Sequence, residues 1–230
     1  EPHVFNGRVY VYGSHDRFNA PIFCVNDYVC WSAPVEDLSE WRYEGVIYRK
    51  KQDPKNPLGY HLLFAPDVCQ GPDGRYYLYY AFDFLGIMSV AVCDTPAGEY
   101  KFLGHIHYAD GTLWGRRRGD QLPFDPGVLA DDDGRVWLYS GFYNAVPAIL
   151  TGGHKLRCDG GTVLELEKDM VTIKTEPRVI FPKKGPGAFQ GHEFFEASSI
   201  RKEGKTYIFV YSSRHNHELC YATSQSPDRD

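Results

Sequence analysis

Four stretches of the chain share one pattern: a polar residue, Gly and a basic residue, then alternating aromatic and aliphatic positions. They are Asn6-Gly7-Arg8-Val9-Tyr10-Val11-Tyr12, Asp73-Gly74-Arg75-Tyr76-Tyr77-Leu78-Tyr79, Asp133-Gly134-Arg135-Val136-Trp137-Leu138-Tyr139 and Glu203-Gly204-Lys205-Thr206-Tyr207-Ile208-Phe209. A period of two predicts a β-strand, because successive side chains leave opposite faces of the pleat. Asn-Gly and Asp-Gly predict tight type I′ hairpins, in which both central residues take positive φ. Each glycine is therefore expected to join a short strand before it to a second strand after it. The four glycines stand 67, 60 and 70 residues apart, so the motif is also a repeat.

Further strands follow each hairpin. Ser89-Val90-Ala91-Val92-Cys93 leads into the turn Asp94-Thr95-Pro96-Ala97-Gly98, and Tyr100-Lys101-Phe102-Leu103-Gly104 opens a fourth strand. Tyr28-Val29-Cys30-Trp31-Ser32-Ala33-Pro34 and Leu219-Cys220-Tyr221-Ala222-Thr223-Ser224 repeat the third strand in the first and last units. Four antiparallel strands per 60–70 residues describe one blade of a β-propeller with long loops. Helical periodicity is nearly absent. The predicted fold is all-β, one propeller domain over 1–230, with blades at about 1–60, 61–115, 116–185 and 186–230. The fourth unit stops before its fourth strand and the first opens only six residues before Gly7, so a further propeller segment, from the same or another chain, is expected.

Composition narrows the function. A net charge of -5 argues against nucleic acid, which needs a clustered basic excess. No apolar run is long enough for a membrane span. Aromatics at 15% exclude disorder. Six cysteines (Cys24, Cys30, Cys69, Cys93, Cys158 and Cys220) make no CxxC pair and no Cys/His zinc spacing. They read as buried free thiols, which leans towards a cytoplasmic setting and leaves secretion open.

In a propeller the first strand of each blade lines the axis, so polar residues there point at a shared pocket. Asp125 lies nine residues before Gly134, Glu196 eight before Gly204 and Asp67 seven before Gly74. Paired carboxylates in an aromatic cavity are the equipment of glycoside hydrolysis: one acid protonates the leaving oxygen, one base activates water. Glu196, between Phe195 and Ala197, has the apolar setting that raises the pKa of a general acid. Glu193 competes with it but reads as part of the approach loop. Asp73, Asp131, Asp132, Asp133 and Glu203 read as solvated turn formers. Phe64, Trp114, Phe142 and Phe195 are candidate sugar-stacking residues, each of a type that more often belongs to a core. Asp67 and His192 complete the candidate substrate contacts. The pairs His105/His107 and His215/His217 lack a third ligand, so no metal site is assigned, and Arg116, Arg117 and Arg118 read as a solvated loop.

These motifs resemble glycoside hydrolase family 43, five-bladed propellers that include β-xylosidases, α-L-arabinofuranosidases and arabinanases. The matching elements are the segment from His3 to Asp16, Phe64-Ala65-Pro66-Asp67, Phe124-Asp125-Pro126-Gly127 through Gly134, and Phe195-Glu196-Ala197-Ser198-Ser199-Ile200-Arg201-Lys202. About four of the five blades are covered. The resemblance implies an inverting glycosidase acting on pentosyl linkages of plant polysaccharide or oligosaccharide, such as xylan. It makes Glu196 the general acid and Asp125 the residue that tunes and orients it. The general base is expected about eight residues before Gly7, upstream of Glu1, and Glu1 itself is too displaced to replace it. No cofactor is required; some relatives hold a calcium or other ion on the axis, which this stretch gives no means to argue. A catalytically silent carbohydrate-binding propeller is the alternative reading, and a protein-interaction scaffold a third.

Overall fold

A computed structural model describes residues 1–229; Asp230, the last position of the expected fourth blade, lies outside them. Blade 1 is formed by β1 (Pro2–Phe5), β2 (Arg8–Gly13), β3 (Tyr28–Pro34) and β4 (Arg42–Tyr48), and blade 2 by β5 (Asp67–Gln70), β6 (Tyr76–Ala81), β7 (Met88–Cys93) and β8 (Lys101–His105). Blade 3 comprises β9 (Gly127–Ala130), β10 (Val136–Phe142), β11 (Gly160–Leu166) and β12 (Arg178–Pro182), and blade 4 β13 (Phe194–Glu203), β14 (Thr206–Ser213) and β15 (Leu219–Ser224). Every sheet is an antiparallel meander in sequence order, the arrangement of propeller blades. Among the described residues the only helix is the 3-10 turn Lys50–Gln52, and none could cross a membrane.

All four repeat glycines fall between the first and second strands of their blades, but only one hairpin is type I′. Asn6 and Gly7 both take positive φ, 50° and 75°, between Phe5 and Arg8. In blades 2 and 3 the loop is longer: Gly74 N–H donates to Gly71 O (2.9 Å) and Gly134 N–H to Asp131 O (2.9 Å), with the left-handed residue last. Blade 4 turns on Gly204-Lys205, with positive φ at the glycine alone. The extra residue in blades 2 and 3 lets an Asp side chain brace the loop. Asp73 accepts from Arg75 Nε and Asp133 from Arg135 Nε, each at 2.7 Å.

Alternation along the strands places two different faces against two neighbours. In β6, Tyr76, Leu78 and Tyr80 pack on blade 1 with Tyr12, Tyr28 and Ile47, while Tyr77 and Tyr79 pack on blade 3 with Val128 and Leu138. In β10, Trp137 and Tyr139 turn instead to Phe194, Tyr207 and Phe209 of blade 4. Each such side chain contributes on the order of 1.5–3 kcal/mol on burial, so the inter-blade layers hold the propeller together. Among the described residues, two sheet faces have no such neighbour. Val4, Trp31, Tyr43 and Val46 of blade 1 are exposed, as are Leu219 and Tyr221 of blade 4.

Several expected surface positions are structural. Asp131 is buried, not solvated: its carboxylate takes Lys202 Nζ and the Tyr207 hydroxyl, tying blade 3 to blade 4. Asp132, Asp133, Asp73 and Glu203 are exposed at their turns as expected. Arg116 is not simply solvated, since its guanidinium donates to Gly86 O (2.9 Å) and Leu85 O (3.1 Å). Trp114 is fully buried core. All six cysteines are free; Cys24, Cys30, Cys69 and Cys158 are buried, whereas Cys93 and Cys220 are half-buried.

Candidate active site

Asp125 and Glu196 are delivered to one cavity by two local irregularities. Asp125 sits just before β9 with φ of 46°, and the residue behind it is pinned, because Phe124 N–H donates to Ser140 Oγ (2.7 Å) and Phe124 O accepts from Ser140 Oγ (2.7 Å). Glu196 lies where β13 bulges: its register against β14 shifts between Phe194 and Glu196 and again before Ser199, and Ala197 takes φ of 62°. A bulge re-aims a side chain that a regular strand would send to the blade face. The two segments are bonded together, Ala197 N–H donating to Asp125 Oδ2 at 3.1 Å.

The cavity holds about 360 Å³ and opens to solvent, a size suited to a small ligand. Phe64, Phe84, Phe124, Phe142 and Phe195 wall it, with Phe23 beside Phe64, so side chains from all four blades converge on the carboxylates. Phe84 stacks on Phe124 at 5.3 Å and Phe195 meets Phe142 edge-on at 5.4 Å. A second cavity of about 280 Å³ lies between blades 3 and 4 against Phe181 and Phe209, and among the described residues no carboxylate lines it.

Burial pushes Asp125 up to about 8, reinforced by the charge of Glu196 and opposed by the Ala197 N–H. Burial also lifts Glu196 above its ordinary value, with His217 opposing. The charge of Glu196 thus adds to the burial that keeps Asp125 protonated. Glu196 Oε1 lies 3.8 Å from His217 Nδ1, and the His217 ring packs edge-on against Phe195 at 4.7 Å.

Phe64, Phe142 and Phe195 are where the sequence places them, on the cavity wall. Asp67 is not a substrate contact. It is fully buried and accepts from His3 Nε2 (2.5 Å), Val68 N–H (2.8 Å) and Val128 N–H (2.7 Å). His192 also lies off the cavity, exposed and bonded through Nδ1 to Glu218 Oε2 at 2.7 Å. Glu193 is paired outside it with Arg214. Glu1 is engaged by Ser199 Oγ (2.8 Å) and Arg201 Nη2 (3.4 Å), as befits a structural carboxylate. Neither His-x-His pair makes a joint site: His105 bonds Asp53 (3.0 Å), while His107 contacts Thr172 (3.3 Å). Phe84 and the placement of His217 beside Glu196 were not singled out by the motifs, and Phe124 entered only as the neighbour of Asp125 in its motif. Phe84 lies in the loop after β6 and His217 in a turn, neither with a repeat partner.

Comparison with known proteins places the chain in a family. The profile of Glycosyl hydrolases family 43 matches residues 3–229. A "Xylosidase/arabinosidase" of Thermoclostridium stercorarium is 59% identical over 233 residues, covering 100% of this chain and 47% of that protein. A "Xylosidase/arabinosidase" of Bacteroides ovatus is 31% identical, covering 98% of this chain and 73% of that one. Among solved structures, the GH43_1 enzyme from Xanthomonas citri complexed with xylose superposes with a TM-score of 0.73 at 26% identity, covering 98% of this chain and 69% of that chain. The chain belongs to glycosyl hydrolase family 43. It spans about half the length of its Thermoclostridium relative.

Proposed function

We propose that the protein is an inverting glycosidase that removes xylosyl or arabinofuranosyl units from plant polysaccharide or its oligosaccharides. One observation carries this reading: two carboxyls from the inner strands of adjacent blades share an aromatic cavity, and both hold protons more tightly than ordinary carboxyls. Glu196, the more accessible of the two, protonates the leaving oxygen. Asp125, behind it, is itself protonated near neutral pH and orients the acid through the Ala197 N–H it accepts. The phenylalanine wall stacks on the apolar face of a sugar ring and excludes water from the bond to be broken. The base that activates water is an acidic residue preceding Glu1 in the full-length protein. The xylosidase/arabinosidase names of the relatives support a pentose substrate.

The open faces of blades 1 and 4 fit a further blade, from the same or another chain. Trp31 and Tyr43 stack at 4.9 Å on one face, and Leu219 and Tyr221 stand on the other. The greater length of the relatives supplies room for that blade.

The test is to assay the full-length protein on aryl-pentosides and read the anomeric configuration of the first sugar released by proton NMR. Hydrolysis with inversion supports the reading. Binding of pentose oligosaccharides without hydrolysis would assign a carbohydrate-binding propeller instead, and retention would reject the water-activating mechanism.

A further inference from the structure

The turn that carries His217 towards Glu196 carries a second group of chemistry away from the cavity. Glu218 stands immediately before β15, Cys220 two residues later within it, and His192 two residues before β13. Glu218 Oε2 is the focus: it accepts from His192 Nδ1 (2.7 Å) and Ser213 Oγ (3.0 Å) and lies 3.6 Å from Cys220 Sγ. The imidazole, carboxylate and thiol ligand atoms all lie within 4.8 Å of one another. The backbone beneath them is held. The Tyr211 hydroxyl donates to His192 O (2.7 Å), Ser213 N–H to Glu218 O (2.9 Å), and Cys220 is paired with Tyr211 across the sheet.

We propose that His192, Glu218 and Cys220 form a binding site for a borderline divalent cation of the zinc class, with water completing the shell. A tetrahedral ion with bonds of roughly 2.0–2.3 Å spaces its ligand atoms roughly 3.3–3.7 Å apart. The present spacings need adjustments of only about an ångström to reach that geometry. One nitrogen, one oxygen and one sulfur donor suit zinc or cobalt, whereas calcium and magnesium require an all-oxygen shell. Binding releases the Cys220 thiol proton and replaces the His192–Glu218 hydrogen bond with two bonds to the ion, so affinity rises with pH. The ion links the approach to β13 with the start of β15 and so closes the turn that presents His217 to Glu196.

The experiment is a titration of the full-length protein with cobalt(II), followed by absorbance. One equivalent should bind with a near-ultraviolet thiolate-to-cobalt band, displaced by zinc and unaffected by excess calcium. Cys220→Ser should abolish the band, and His192→Ala should weaken binding at least tenfold. Both variants replace partly exposed side chains, and circular dichroism checks that they fold. Absence of the band in the folded wild-type protein, its survival in Cys220→Ser, or displacement by calcium as readily as by zinc would each overturn the assignment.

Discussion

The two cavity carboxyls differ in burial, and that difference sets how each responds to substitution. Glu196→Gln removes the transferable proton and should lower the hydrolysis rate by roughly 10²–10⁴ for alkyl pentosides, and by less for aryl pentosides whose leaving groups need little protonation. Equal losses for both substrate types would reject the acid role. Asp125→Asn removes the buried carboxyl that accepts the Ala197 N–H behind Glu196. Asp125 is itself neutral below about 8, so kcat should fall through lost positioning while the alkaline limb of kcat/KM stays in place. His217→Ala should move that limb to higher pH, because the nearby histidine favours the ionised form of Glu196. A limb that moves with Asp125→Asn and not with His217→Ala would reject Glu196 as the group that sets it. Stability provides a separate reading. Asp125 keeps its proton in the folded state up to about 8, far above an unfolded carboxyl near 4. The stability this contributes is fully present below about pH 4 and is lost as pH rises through the folded value. Denaturant unfolding of Asp125→Asn should therefore show a shallower decline between those limits than the wild type.

Within the elements, the site depends on how closely β9 and β13 approach. A Cβ on Gly127 would stand 2.6 Å from Ser198 O, a backbone atom that has no rotamer with which to retreat. Gly127→Ala should force the two inner strands apart, at a cost of about 1–3 kcal/mol. The same displacement moves Asp125 from Ala197, so kcat should fall while aromatic packing elsewhere, followed by near-ultraviolet circular dichroism, stays native; unchanged kcat would show that the approach does not position the pair. These inner strands were legible in the sequence because their glycine turns recur and their side chains alternate. The pairing details were not. The turn types of blades 2 and 3 depend on one extra residue per loop. The bulge that aims Glu196 depends on cross-strand register with β14, which alternation in β13 alone does not encode. Asp131 departs from its expected exposure for a related reason. A turn aspartate looks solvated until Lys202 and Tyr207 of the next blade are brought over it. Likewise Phe64, Phe142 and Phe195 carry a local motif to the wall, whereas His217 reaches Glu196 only through tertiary folding.

Across the whole molecule, Asp67 is the point where three blades meet. It belongs to β5 of blade 2, accepts from His3 of blade 1 and receives the Val128 N–H of blade 3. Burial alone would favour its neutral form, but the His3 imidazole, the more distant Arg201 and the backbone donor hold it below the ordinary carboxylate value. A depressed carboxyl contributes stability above its unfolded pKa, near 4, and loses it as pH falls through the folded value, so this tie should fail in acid. Asp67→Asn retains the shape but puts an amide NH2 among groups that require an acceptor. Breaking a buried pair in this way costs about 3–5 kcal/mol. In a domain of this size that corresponds to a fall in Tm on the order of 10 °C at neutral pH. The difference between variant and wild type should narrow as pH falls through the carboxyl range, because the wild-type Asp67 then becomes neutral as well. Differential scanning calorimetry of the full-length protein from neutral pH to about pH 3 measures both quantities, wherever reversible unfolding persists. A variant as stable as the wild type at neutral pH would mean that the aromatic layers alone hold the blades in register and that the axial tie is dispensable.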